Sequence, residues 1–535
     1  MAYCFNCGNK VADDDVFCEH CGTRLVDETA PPPEENAEKR RQHVGFIYTH
    51  LKRLARSLGC STGDLEKLLE KYAKGVELTG GGKYEILYSR QDSSRYEDYV
   101  KEIYKNIGSE TKYLFIIGGP EVIPMPCLLN LAGANKDVDT DLPYAVMDPK
   151  FSEKKYYDGS VLTKEMRLCV GRLPVGKDTT IDDIKSYFAM AKFSQSPYLV
   201  TKNNFAQINP LWTLESDLVV ENLMKLVCDE QEGPYSHNRM FLTPHVTSSD
   251  IYKHTHGFGD FFYYNLHGSG SPNASGYYGE DGRGGYPEGA APHNFARAIY
   301  PNIVVTEACY GAKFIGLEKS RSILLTALYH KTVGFLGSSR VAFGSGLTSM
   351  AQRASLGCAD LFCRMFIKKI MAGSTLGEAV TYARSNYKPA VSQKRLVVYG
   401  VTTLTEFNLF GDPALKVNGE SNNNSKSFDD FDLDEPFEPV EFEVKDIYQN
   451  GGILSAVRSA LDRSRNEIDK IMLDKLYSNY GLNPKNLSSV KEISYGDGTD
   501  NTYYYMYKET FGDIEKIDVA VSDSKGEIQR ILTSK

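Results

Sequence analysis

The stretch NIVVTEACYGAKFIG, residues 302–316, decides how the chain folds. Ile303, Val304 and Val305 are β-branched and apolar, the signature of a buried strand. Glu307, Ala308 and Cys309 follow at the strand's C-terminal end, and Gly311 breaks the pattern. The thiol has two readings at this point. It is a small buried hydrophobe, the commonest fate of an unpaired cysteine, or a nucleophile held at the mouth of a sheet. A second stretch, DFFYYNLHGSG at 260–270, ends alike, with an apolar strand delivering His267 and then three small residues. In an α/β sheet the carboxyl ends of neighbouring strands share a crevice, so the two side chains can converge there. An adjacent imidazole turns a thiol into the nucleophilic thiolate. Gly268 lets the backbone approach a carbonyl closely, and its N–H with that of Cys309 can form an oxyanion hole.

Outward from these two strands the chain alternates strand and helix. VGFIYTHLKRLARSLG (44–59) and DLEKLLEKYAKG (64–75) carry apolar residues at helical spacing and end at glycines. YEILYSR (84–90), KYLFIIGG (112–119) and MRLCVGRLPV (166–175) read as strands. Helical patterns follow at 180–193, 217–230, 349–373 and 375–387, with a further strand at 331–340. That order predicts a mainly parallel sheet with crossover helices over residues 43–418, in two sub-domains, 43–200 and 201–418.

Both ends differ in character. YCFNCGNKVADDDVFCEHCG contains Cys4, Cys7, Cys18 and Cys21, two C-x-x-C knuckles each followed by a glycine. Four thiolates make a closed tetrahedral site suited to structural Zn²⁺, which would stabilise a ribbon (1–26) too short to fold unaided. A pair of redox dithiols is the bland alternative. Residues 27–42 read as a solvated tether, and 419–445, acidic with Phe and Pro, as a linker. Residues 446–535 read as a small α+β domain: one helix, then strands at 501–509, 516–523 and 527–534.

Composition narrows the functional classes. At 535 residues the chain is too long for one core, and 41% hydrophobic against 24% charged is globular. A net charge of −9 and an acidic ribbon disfavour nucleic acid as a partner. No apolar run approaches the length that spans a bilayer, and the N-terminus has no export pattern, so a cytoplasmic location is expected. Cysteines scattered at low density fit reduced thiols. His254 and His256, in HTHGFGD, are rivals to His267 but precede a strand rather than end one.

Apolar strand–His–Gly followed by apolar strand–Ala–Cys–x–Gly resembles the caspase-fold cysteine peptidases. Within that clan the chain is most similar to the gingipain-type peptidases: YLFIIGGPEVIP, DTDLPYAVMD, CVGRLPVG, NLHGSG, VTEACYG, FLGSSRVAFG and NLFGDPAL occur in that family's order. The resemblance implies a caspase-like α/β sandwich and a cysteine endopeptidase, with His267 as general base and acid and Cys309 as nucleophile. It also implies that Glu121 orients the histidine. Asp141, with Asp139 as its rival, would hold an Arg or Lys side chain before the scissile bond. Protein or peptide substrates follow, and the ribbon or the C-terminal domain is expected to sense a partner or block the cleft. Two other classes stay open: an interaction protein on a peptidase-like core, and a peptide ligase or transpeptidase.

Overall fold

The computed structural model describes residues 44–78, 82–128, 132, 137–148, 165–194, 204–220, 225–226, 239–251, 259–345, 356–393, 397–416, 442–449, 463–495 and 500–535, with the short pairs 2–3 and 10–11. The first run departs from the helical expectation. GFIYT forms strand β1 (Gly45–Thr49), and only then does helix α1 (Leu51–Ser57) begin, its start capped by His50 Nδ1 accepting from the Arg53 N–H. Phe46, Ile47 and Tyr48 are all buried, and a run buried on both faces is a central strand whose side chains mimic helical spacing.

Strands β2 (Tyr84–Tyr88), β3 (Tyr113–Ile117) and β4 (Cys169–Leu173) lie parallel to β1 in the order β4-β3-β1-β2. The second half is built from β5 (Asn204–Ile208), β6 (Lys225–Leu226), β7 (Arg239–Leu242), β8 (Phe261–Asn265), β9 (Asn302–Thr306) and β10 (Thr332–Ser338). These run parallel in the order β6-β7-β5-β8-β9-β10. A short strand, β11 (Phe343–Ser345), leaves this sheet, and β12 (Phe407–Gly411) joins the halves, eleven strands among the described residues. β12 is antiparallel to β10 but parallel to β4, so strand direction reverses in the middle of the sheet. By polarity β12 belongs with the first half, so the sequence boundary at residue 200 separates all the main-sheet strands but that one.

The helices that matter to the site are α2 (Thr213–Val219), after β5, and α3 (Cys358–Met371), whose apolar face is buried. The helix expected over 217–230 ends at Val219, and residues 225–226 are in a strand. The helix expected from residue 349 begins, within the described residues, at Cys358.

Among the described residues the C-terminal domain has helix α4 (Arg463–Tyr480) and five antiparallel strands rather than three. These are β13 (Phe442–Gln449), β14 (Leu487–Tyr495), β15 (Asp500–Phe511), β16 (Ile514–Ser522) and β17 (Ile528–Ser534). β13 begins inside the stretch expected to be linker, because backbone pairing of Phe442 with Tyr495 carries it into the sheet. β11 of the peptidase-like part adds to β17 as a sixth strand. Phe343, Tyr399 and Cys309 share one apolar cluster with Tyr504, Met506, Val519, Val521 and Leu532, so the C-terminal domain is packed onto the main body.

Candidate active site

β8 and β9 are parallel neighbours, with Tyr264 opposite Thr306 and the Glu307 N–H donating to the Tyr264 carbonyl at 2.9 Å. The residues just past both ends therefore emerge side by side. A Cβ added at Gly268 would lie 1.6 Å from the Cys309 carbonyl oxygen and 2.8 Å from its nitrogen, so only glycine permits this approach. A tight turn follows Cys309: Gly311 N–H donates to the Ala308 carbonyl at 2.9 Å, and Tyr310 is held at φ +54°, a left-handed conformation a tyrosine rarely adopts. Cys309 is 2% exposed, and its Sγ–H donates to the Ala342 carbonyl at 3.5 Å. Burial pushes the thiol well above its ordinary range.

His267 is 1% exposed, its ring edge-on to Trp212 at 4.7 Å and to Tyr286 at 5.3 Å. Nε2 lies 3.3 Å from Oε2 of Glu280, and Nδ1 has no hydrogen-bond partner among the described residues. Burial pulls the imidazole below its ordinary value, against the opposing pull of Glu280. Glu280 itself is brought down to about 2: burial resists ionisation, but the His267 hydrogen bond and the Lys516 ammonium, 3.2 Å from Oε1, outweigh it. Glu121 does not reach this site. It is exposed, 3.5 Å from Ser57 Oγ, just beyond the C-terminal end of β3. Because strand direction reverses at β12, that end of β3 lies at the end of the sheet's strands opposite to Cys309. The acid beside His267 is Glu280, thirteen positions after it in the chain.

The remaining space above Cys309 is filled by Lys535, the last residue of the sequence. Its carbonyl oxygen accepts from the Cys309 N–H at 2.8 Å and the Gly268 N–H at 3.3 Å, the two donors expected to form an oxyanion hole. Its N–H donates to the Ala342 carbonyl at 2.9 Å, and β17 pairs antiparallel with β11, Ser534 opposite Phe343 and Thr533 opposite Gly344. Lys535 is 1% exposed, and its side chain runs past Gly344, where an added Cβ would meet its Cε at 1.9 Å.

The ammonium stands 3.2 Å from Oδ1 of Asp360 and 4.2 Å from the centroid of the Trp212 ring. The Asp360 contact is an ion pair rather than an aligned hydrogen bond, since neither atom completes one. The other Asp360 oxygen accepts from the Ser345 N–H. Burial opposes the Lys535 charge, but Asp360, Glu307 and Glu215 together raise its affinity for the proton. Burial, then the charge of Asp360, pushes the Glu307 carboxyl well above the carboxylate range, and Tyr263 donates to its Oε1 at 2.7 Å. This pocket draws on the loop after β5 (Trp212), α2 (Glu215), the end of β9 (Glu307), β11 (Gly344) and the first turn of α3 (Asp360).

Asp141 is not part of the pocket. Its two oxygens accept from Arg172 Nε at 2.8 Å and Nη2 at 2.6 Å, and both residues are buried. Asp139 is 2.8 Å from Nη2 of Arg340. Both carboxylates hold the body together, and neither faces Lys535. Sequence patterns missed Glu280, Asp360, Trp212 and Glu215. A signal for Asp360 exists only in hindsight: it is an acid in the apolar run CADLFC, where a charge needs a buried partner. Cys4, Cys7, Cys18 and Cys21 lie outside the described residues, as do His254 and His256. Among the described residues no helix is long and apolar enough to cross a membrane.

The model of peptidase family C25 matches residues 83–418, more than half of the chain, and that of a zinc-ribbon domain matches residues 1–25. No curated protein matches. Among solved structures, the Arg-specific cysteine proteinase gingipain R (RGPB) is similar with a TM-score of 0.46 at 13% identity, covering 93% of this chain and 92% of that one. The complex of the pro- and mature domains of Porphyromonas gingivalis RgpB is similar with a TM-score of 0.46 at 11% identity, covering 92% of this chain and 98% of that one.

Proposed function

The chain belongs to peptidase family C25 and is a cysteine peptidase of that family; on that premise we propose that it is an endopeptidase cutting protein substrates after lysine, through Cys309 and His267. The observation that carries this reading is the Lys535 carbonyl, accepting from both Gly268 and Cys309 while its side chain lies in an acidic pocket. A substrate lysine bound the same way presents its carbonyl carbon to Sγ. The thiol proton passes to His267, the sulfur adds to the carbonyl, and the two N–H groups stabilise the oxyanion. His267 then gives its proton to the leaving amine as the C–N bond breaks. Water, deprotonated by the same imidazole, hydrolyses the thioester and restores the thiol. Glu280 is a positioning residue that keeps the ring oriented through Nε2.

Lysine is favoured over arginine by the donor geometry of the pocket. One Asp360 oxygen is taken by the Ser345 N–H, so the floor offers a point contact to an ammonium rather than a fork to a guanidinium. The four ribbon cysteines have the chemistry of a closed structural Zn²⁺ site, in line with the zinc-ribbon match. The test uses fluorogenic peptides with Lys, Arg or Ala before the reporter, and Lys535→Ala protein so that the pocket is vacant. Hydrolysis of the lysyl peptide, lost when Cys309→Ala is added, is expected. Preference for Ala, or activity that survives without the thiol, refutes the assignment.

A further inference from the structure

Resting on that peptidase reading, we propose that residues 528–535 are a substrate-mimicking plug, held in the cleft by the C-terminal domain, which a substrate must displace. Four independent contacts place the segment where the acyl side of a substrate belongs. The Lys535 carbonyl engages both backbone donors, and the segment's backbone pairs with β11 as an added strand, a mode by which extended peptides are captured. Its lysine side chain fills the acidic pocket, and Cys309 lies beneath it, 2% exposed. A nucleophile sealed in this way cannot meet a second peptide.

The rest of the domain keeps the plug in place. Lys516 pairs with Glu280, the acid that faces His267. The Asp513 carbonyl accepts from the Gly270 N–H at 3.2 Å, within the loop that follows the histidine. Phe511 packs on Tyr286 at 4.9 Å, and Tyr286 in turn abuts the imidazole. The domain thus touches Cys309 directly and His267 through Glu280 and Tyr286. Because the plug is part of the same chain, its effective concentration at the cleft is high, and a weak peptide interaction suffices to keep the site closed. The pocket that selects substrate lysine and the pocket that holds the enzyme latent are the same one.

The full chain is compared with its Lys535→Ala form by two readouts. One is kcat/KM for a lysyl fluorogenic peptide. The other is the rate at which iodoacetamide alkylates Cys309, followed by intact mass and peptide mapping. Both should rise on the order of 10²-fold in the variant. The synthetic peptide Gln-Arg-Ile-Leu-Thr-Ser-Lys, the sequence of residues 529–535, should inhibit the variant competitively. Equal rates in the two proteins by both readouts overturn the plug. Faster alkylation without cleavage of any peptide leaves the plug standing and refutes the peptidase reading, whereas equally fast cleavage by both proteins does the reverse. A third measurement needs no substitution: covalent labelling of the wild-type chain with a lysyl chloromethyl ketone must expel β17. Amide exchange over residues 529–535 should then accelerate, and unchanged protection in fully labelled protein overturns the proposal.

Discussion

Replacing Asp360 by Asn, in chains that also carry Lys535→Ala, removes the charge opposite the substrate's ammonium while keeping an oxygen for the Ser345 N–H. The separation is 3.2 Å, and both side chains are 0% exposed in the resting chain. At an effective dielectric of about 20, that distance corresponds to an attraction of about 5 kcal/mol. Breaking a buried pair by removing one partner ordinarily costs about 3–5 kcal/mol. The lower end is expected, because Glu307 and Glu215 remain near the ammonium. The worked expectation is a loss of about 3 kcal/mol, roughly 10²-fold in kcat/KM for a lysyl peptide. A peptide with alanine at the same position makes no ion pair, and its kcat/KM should change little. The assay is the lysyl-to-alanyl ratio of kcat/KM, with and without the substitution. A ratio that falls less than about threefold refutes the pocket assignment. So does Asp141→Asn, if that change collapses the ratio in a folded protein.

Other outcomes follow from this geometry and, for the ribbon, from its four cysteines. Glu280→Gln keeps the shape but loses the charge-assisted contact to His267, worth about 1.5–3 kcal/mol, so kcat should fall roughly 10- to 10²-fold with KM little changed. The Glu280 carboxyl is held at about 2 against an ordinary 4.5, so its contribution to stability is present above pH 4.5 and lost as pH falls toward 2. Wild type should therefore lose urea stability over that window more steeply than Glu280→Gln. Asp141→Asn strips the fully buried Arg172 of its carboxylate partner and should destabilise the main body by about 3–5 kcal/mol in urea unfolding, without a change in substrate preference. Gly268→Ala drives a methyl into the Cys309 backbone and should abolish both peptide cleavage and lysyl chloromethyl ketone labelling of Cys309. Metal analysis should find one zinc per chain, absent from the Cys4→Ser and Cys21→Ser proteins.

Some features were legible from local pattern alone. Residues 302–309 and 261–268 read as strands ending in Cys309 and His267 because β-branched and aromatic runs closed by small residues have few other uses. The glycine after the histidine was legible for the same reason, since a backbone that must pass within contact of another leaves no room for a side chain. Strand β1 was misread because a run buried on both faces loses the alternation that distinguishes strand from helix.

What only the tertiary structure decided is which acids meet which cations. A carboxylate in a sequence carries no direction. Asp141 was assigned to substrate, yet Arg172, 31 positions later, takes both its oxygens. The resemblance assigns Glu121 to His267, yet the reversal of strand direction at β12 puts it at the opposite end of the strands. Asp360 and Lys535 stand 175 positions apart and become partners only because β17 folds back onto β11. Chemistry written into one strand end can be read residue by residue, because neighbours in the chain are neighbours in space. A charge pair closed across a sheet cannot, because its energy depends on a distance that the whole fold must be built to supply.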